Sequence, residues 1–389
     1  MDIGNLKDLK APVIPDANRA PGYPIFLMPF VSGLPNLKII NNILYFQAFL
    51  SSLTLFFGFL YFRKLLQVYL AWLAALLLTL SPHLIIANSY ILTETLLCFV
   101  MTLLFWFMCS FFTNPTKLLA FMIGIIIGLI NLTRPSIQFF LFFIIIFFLI
   151  HYEKKKTILF SLLLCLGFLI TVSPWIIRNK ISLSGNDRNE RLILFLAHGM
   201  YPDFTYEKHP ESYGFPYRFD PNFMKIGEST SSIIKEIIRR FEKEPLRHLK
   251  WFVLKKPFML FSWNIVQGMG DAFVYPVAYS PYFDRTPFKL SHNFMHSIHN
   301  IIVALGFLGC ALAWLPVSKV GLNTSVIIIP RFTAIFILYF LIIHTIGTPL
   351  PRYSIPLRPF IYGMSVFPFH LLIVFTRNLK KNHLNNIRK

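Results

Sequence analysis

Lys117 to His151 reads KLLAFMIGIIIGLINLTRPSIQFFLFFIIIFFLIH, two apolar runs that meet at Thr133-Arg134-Pro135. As one helix, at ~1.5 Å per residue, this stretch would be roughly 50 Å long, well beyond the ~30 Å hydrocarbon core of a bilayer. We therefore read Pro135 as the turn of a hairpin and residues 117–133 and 136–151 as separate spans. That reading sets the side on which every later loop emerges.

The rest of the chain supports a membrane setting. Of its 389 residues 55% are hydrophobic, 17% aromatic and only 14% charged, and 43 are Phe, many in runs that no aqueous surface tolerates. This excludes an ordinary soluble domain. Apolar runs bounded by charge or proline mark seven further spans, at 40–62, 67–82, 93–112, 157–176, 295–315, 332–349 and 357–376. The fold class expected is an all-α polytopic membrane protein with about nine spans.

Alternate loops carry Arg63-Lys64, Lys117, Lys154 to Lys156, and Lys319 with Arg331, and the tail carries Arg377, Lys380, Lys381, Arg388 and Lys389. The intervening short loops carry only Arg134, Arg352 and Arg358. The positive-inside rule makes the first set cytoplasmic. Five regions follow: an external N-terminal loop, 1–39, with a short apolar stretch at Ile25 to Val31; helices over 40–176; an external segment, 177–294; helices over 295–376; and a basic cytoplasmic tail, 377–389. An external start for a chain carrying Lys7, Lys10, Arg19 and Lys38 requires an earlier span, so a transmembrane segment is expected upstream of Met1.

Within 177–294, Ile233, Ile234, Ile237, Ile238, Phe241, Leu246 and Leu249 follow helical spacing. They predict a membrane-surface helix over Ser231–Phe252, kinked at Pro245, with an interfacial run from Trp251 to Ile265. The net charge of +20 raises nucleic acid as a partner. The basic residues form no stripe interleaved with stacking aromatics, so membrane lipid explains the charge and nucleic acid is excluded as a partner. Cys98, Cys109, Cys165 and Cys310 all lie in apolar segments and read as core residues.

Between Asn41 and Ser173 the acidic residues are Glu94 and Glu153, and Glu153 sits beside three lysines. Glu94 has no basic neighbour in sequence and opens an apolar helix, which makes it a functional candidate. The plainer reading is a helix-start carboxylate favoured by the macrodipole. In this topology Arg19 with Pro21-Gly22-Tyr23-Pro24, Thr93-Glu94, Thr133-Arg134-Pro135 and Pro351-Arg352-Tyr353 share one face, and Arg178 opens the external segment. Guanidiniums at membrane level suit phosphate oxygens, although each taken singly could also snorkel to headgroups. His292, His296 and His299 share a helical face, but no nearby carboxylate in sequence orients them as metal ligands.

The order of these elements, Arg19-Ala-Pro-Gly-Tyr-Pro, Thr93-Glu94, Gly128 to Pro135, Pro174-Trp-Ile-Ile-Arg-Asn179 and Arg352 to Pro359, resembles the GT-C superfamily of membrane glycosyltransferases. The likeness is greatest to the family 39-like branch, related to protein O-mannosyltransferases and to the aminoarabinose and lipopolysaccharide sugar transferases. The resemblance implies a GT-C helix bundle that transfers a sugar from a polyprenyl-phosphate donor to a lipid, glycan or protein hydroxyl. The site would face the periplasm or exterior of a bacterial inner membrane. It also implies a catalytic acid in the first external loop, for which Asp16 is the candidate, and a second at Glu94. A divalent metal, Mg or Mn, would be held through Glu94 if the reaction uses one. Arg19, Arg134, Arg178 and Arg352 would bind the donor phosphate. The family places a helix before its first-loop acid; none precedes Asp16 here, in line with the upstream span expected from charge. A carrier or flippase of lipid-linked substrates, or an inactive truncated remnant, would share several of these features.

Overall fold

The computed structural model describes residues 17, 19–31, 33, 34, 36–183, 190–265, 270–316 and 324–387. Among them, six helices are long and apolar enough to cross a bilayer: Leu37–Leu65, Glu94–Thr113, Lys154–Ser182, Thr286–Leu312, Ile327–Ile346 and Pro351–Lys380. Shorter apolar helices over Val68–Leu80, Lys117–Thr133 and Pro135–His151 occupy the positions of the other three expected spans. The chain is an integral, multi-pass membrane protein. Its outer helix faces expose large side chains such as Phe142, Ile146, Leu149, Leu162, Leu166 and Ile170, a display that water-facing surfaces rarely carry.

In chain order the elements used below are α1 (Gly22–Leu27), α2 (Leu37–Leu65), α3 (Val68–Leu80), α4 (Pro82–Ala87), α5 (Glu94–Thr113), α6 (Lys117–Thr133), α7 (Phe140–His151) and α8 (Lys154–Ser182). Pro135 does separate α6 from α7: it starts a single 3-10 turn, Pro135–Ile137, whose Tyr339 partner donates to the Ser136 carbonyl at 2.5 Å. Proline has no N–H to continue the α6 ladder, so the chain turns where the sequence placed the turn. A Cβ on Gly124 would lie 2.1 Å from the Leu164 carbonyl oxygen, and one on Gly167 would lie 2.3 Å from that of Phe121. Only glycine permits α6 and α8 to approach this closely, the small-residue packing that drives helix association in lipid.

Several ends differ from the sequence expectation. α8 continues through Pro174 and Arg178 to Ser182, and the last helix runs from Arg358 to Ile387, taking in the described part of the basic tail. Charged residues end a membrane span without ending a helix, because the backbone hydrogen bonds continue in water. α3 stops after 13 residues, about 20 Å at ~1.5 Å per residue, and α4 follows it after Ser81. Buried Tyr61, Phe105, Phe140, Phe332, Phe336 and Phe360 fill the centre of the bundle, with Phe105 and Phe360 at 4.2 Å between ring centroids.

The polar segment begins with α9 (Glu190–Met200), continues to α10 (Thr230–Lys243) and ends in Pro245–Leu260, a helix with a π turn at Lys250–Lys255. The Pro245 kink is present: Glu244 leaves helical geometry at φ −136, ψ 67. Ser229 caps α10 by accepting from the Ser232 N–H. Ile193, Leu196, Ala197 and Ile233 form a small core between α9 and α10. Arg240 bridges Asp220 at 2.9 Å and Glu236 at 2.7 Å, and the Tyr201 hydroxyl donates to Asp220 at 2.8 Å.

This unit should loosen in acid. Burial pushes His198 down to about 4, and the hydrogen-bonding Arg239, joined by Arg240, holds Glu236 below the ordinary carboxylate range. Both folded values are depressed, so the unfolded chain binds more protons as pH falls, and stability present at neutral pH is lost. The first loss falls between about 6.5, the free imidazole value, and the His198 value; the second comes as pH falls through the Glu236 value. Amide protection factors over residues 193–200 and 230–243 should decline in this order. His198→Gln should remove the first stage, and protection unchanged across that window would refute the assignment.

Candidate functional site

One buried glutamine organises the site. Gln47, fully buried midway along α2, donates to the carbonyls of Asn88 at 3.0 Å and Tyr90 at 2.9 Å. Its side-chain oxygen accepts from the Tyr23 hydroxyl at 2.8 Å. Both amide hydrogens and the oxygen are thus engaged, and the side chain ties together α1 and the turn that leads into Glu94. Sequence reading missed Gln47, although an amide well inside an apolar 29-residue helix was a signal of its own.

Glu94 opens α5 and is 1% exposed. Thr93, at the N-cap, makes no side-chain capping bond, whereas the Arg352 Nε donates to Glu94 Oε1 at 2.5 Å, with Nη2 3.4 Å from Oε2. Arg352 sits in the 3-10 segment Pro351–Leu357, its side chain 19% exposed. A pair this buried does not snorkel. The Arg134 guanidinium lies 3.8 Å over the ring of Tyr353, the residue next to Arg352, in a cation–π contact. Gly22 completes the convergence: a Cβ there would lie 2.7 Å from the Leu132 carbonyl carbon, so only glycine allows Pro-Gly-Tyr-Pro to lie against the end of α6.

Three of the expected elements, Thr93-Glu94, Arg134 and Arg352-Tyr353, thus meet, with Gly22-Tyr23 alongside. Arg19 is exposed and its side chain makes no hydrogen bond or ion pair among the described residues. Arg178 lies 4.9 Å over Trp175 and donates to Asn179 at 2.9 Å, both on its own helix. Asp16 lies outside the described residues.

Beside Glu94 a cavity of about 260 Å³ opens between α2, α4 and α5, lined by Ser51, Thr54, Thr79, Asn88 and Thr95 with apolar side chains from α4. Hydroxyls, an amide and one carboxylate in an otherwise apolar wall suit a small polyol. Two guanidiniums against one carboxylate leave the cluster with a surplus positive charge, which favours an anionic ligand. A larger cleft of about 590 Å³ lies in the polar segment beside Tyr201, Asp220 and Arg240, but it is open and its buried charges pair with one another. The chemistry converges on Glu94.

Among the described residues the cluster offers a divalent metal a single carboxylate, Glu94. Glu94 is engaged by Arg352 through both oxygens, and among the described residues no group of three or more His, Cys, Asp or Glu side chains gathers. The histidine face also differs from expectation: a carboxylate does orient His292, whose Nε2 lies 2.7 Å from Asp271. The two are 21 residues apart, so sequence neighbourhood concealed the partner.

No protein-family model matches the chain, and no curated protein matches it in sequence. Among solved structures it is similar to the archaeal oligosaccharyltransferase AglB from Archaeoglobus fulgidus, determined in complex with an inhibitory peptide and a dolichol-phosphate. The TM-score is 0.45 at 12% identity, over 95% of this chain and 44% of that one. The chain therefore spans less than half the length of that protein.

Proposed function

We propose that the chain is a GT-C type membrane glycosyltransferase that uses a polyprenyl-phosphate sugar and passes it to a hydroxyl of a lipid, glycan or protein acceptor. The observation that carries this reading is the buried Glu94–Arg352–Tyr353–Arg134 cluster beside a hydroxyl-lined cavity. The family resemblance of the ordered motifs agrees with it. The orientation that goes with the reading puts the cluster on the outer face of a bacterial inner membrane.

In the reaction, an acidic base, assigned to Asp16, takes the acceptor O–H proton as that oxygen bonds to the anomeric carbon. The bond from that carbon to the lipid phosphate oxygen breaks, and its electron pair leaves on the phosphate. Arg134 and Arg352 stabilise the negative charge that develops there. Glu94 holds Arg352 in place and borders the cavity that takes the sugar. No step is routed through a metal.

A radiolabelled polyprenyl-phosphate sugar presented to membranes containing the chain tests the proposal. Transfer of label should occur, and Arg134→Gln should lower its rate on the order of 100-fold, the usual loss when one charge-stabilising donor is removed. Wild-type rates in Arg134→Gln would overturn the assigned role, and absence of transfer by the wild-type chain would overturn the activity.

A further inference from the structure

The cleft of about 590 Å³ in the polar segment is of a size that takes a ligand, and its two walls differ in chemistry. One wall is α10. Lys235, Arg239 and Lys243 follow one another along it at four-residue spacing, so neighbouring cations stand about one helical turn, ~6 Å, apart on one face. Arg247 continues the row beyond the Pro245 kink, paired there with Glu244. The buried charges beneath are already matched: Glu236 accepts from Arg239 and Arg240, and Asp220 accepts from Arg240 and from the Tyr201 hydroxyl. Lys235 and Lys243 are exposed and make no ion pair among the described residues. Glu228 precedes α10 and lies off the row, so the helix wall stays cationic.

The other wall is the loop over 201–207. It offers the hydroxyls of Thr205 and Tyr206 and the carboxylate of Glu207, and Asn222 adds an amide. Its backbone is costly: Asp203, Phe204, Glu207 and Lys208 have φ of 59, 54, 45 and 66°, the left-handed region that side chains disfavour. The fold holds it there. The Ser212 hydroxyl accepts from the Tyr206 N–H at 2.8 Å, the Gly214 N–H donates to the Phe204 carbonyl at 3.1 Å, and Phe204 packs with Trp251 and Leu350. Strained backbone of this kind gathers at ligand sites, where it presents groups that a relaxed loop would turn away.

A row of cations on an open helix is solvated and selects nothing. With a second wall of hydroxyl-binding groups, the occupant has to carry negative charge along one edge and hydroxyls along the other. An acidic sugar chain does both. An acidic peptide has the charge but no hydroxyls for Thr205, Glu207 and Asn222, and apart from its tyrosines the cleft offers apolar side chains only Pro202 and Ile226 among the described residues. We infer that this cleft binds an acidic glycan, its carboxylates toward Lys235, Arg239 and Lys243 and its hydroxyls toward the 201–207 loop. The site is built from the polar segment alone and does not depend on the transfer reaction proposed above.

Calorimetry on the full chain in phosphatidylcholine nanodiscs tests this with tetragalacturonic acid, with maltotetraose as a neutral sugar of the same length, and with tetraglutamate. Tetragalacturonic acid should bind saturably and more tightly than either of the others. Lys235→Gln combined with Lys243→Gln should weaken it about tenfold, the order expected when two exposed ion pairs are lost, and both positions are exposed, so thermal unfolding should not change. Arg134→Gln should leave the affinity as it is, which keeps the failure of this site distinct from a failure of the transfer reading. Equal affinity for maltotetraose would show that the cationic row plays no part and would overturn the proposal. Tetraglutamate binding as tightly as the glycan would overturn it in favour of an acidic peptide. No binding of tetragalacturonic acid, or the same affinity in the double variant and the wild type, would overturn it and leave a solvated helix face.

Discussion

Replacing Glu94 with Gln should destabilise the protein by roughly 3–5 kcal/mol, the cost of leaving one member of a buried ion pair without its partner. Glu94 is 1% exposed, and the Arg352 side chain that faces it is 19% exposed. The amide still accepts one hydrogen bond from Arg352, but the guanidinium keeps its charge in a medium that solvates it poorly. Arg352→Gln should cost a similar amount for the converse reason. The double variant should cost less than the sum of the two, because neither charge is then stranded. Thermal unfolding in detergent measures all three.

The same variants separate stability from chemistry. In the proposed reaction, the double variant recovers stability and not transfer, since the arginine that faces the leaving phosphate is gone. A double variant as unstable as the two single losses added together would show that the side chains act independently. Unchanged stability in Glu94→Gln would show that the pair contributes nothing to the fold.

The second large effect is expected at Lys256. Its side chain is fully buried, and Nζ donates to the carbonyls of Thr345 at 2.8 Å and Gly347 at 2.9 Å, with Ile346 at 3.4 Å. These oxygens end the helix Thr324–Ile346, where the macrodipole is negative and a cation is favoured. The ammonium also lies 3.5 Å from the ring centroid of Phe252. Lys256→Met keeps the volume and removes the donor, leaving buried carbonyls without partners. Burial pushes the Lys256 ammonium down to about 6, so its charge is left out of the expected loss, about 3 kcal/mol, which comes from the two close hydrogen bonds and from carbonyls left buried without a donor. Urea or thermal unfolding of the full chain checks this, and a change under about 0.5 kcal/mol, the usual range of a surface substitution, would refute it.

Lys256 also shows where sequence reading stops. In sequence it stands with Lys255 in a basic pair that breaks the apolar run from Trp251 to Ile265. In the structure they part. Lys255 reaches Asp203 at the surface, at 2.6 Å, while Lys256 points inward to a helix end about 90 residues away. Burial follows from which side of the turning helix each residue occupies against its neighbour, and no local pattern carries that.

Glu94, Arg134 and Arg352 were legible for a different reason. Charges are so costly at membrane level that each one surviving in an apolar run marks a function or a partner. Loop parity then put all three on one face. Arg178, expected to open the external segment, instead lies within α8, which continues through Pro174, and it contacts Trp175 and Asn179 there.

The stretch from Lys117 to His151 marks the division well. Its apolar length and its proline sufficed to make it a hairpin, because a bilayer limits helix length and proline interrupts the backbone ladder. The same two constraints determined the all-α class and the approximate place of every span. Only the tertiary structure decided that Arg134, at the hairpin's tip, stacks on Tyr353 while Arg352 takes Glu94, and that Gln47 holds the approach to both. Length and polarity act along the chain and are written in it residue by residue. Pairing depends on how helices distant in sequence pack, through contacts such as Gly124 against Leu164, and those exist only once the bundle has closed.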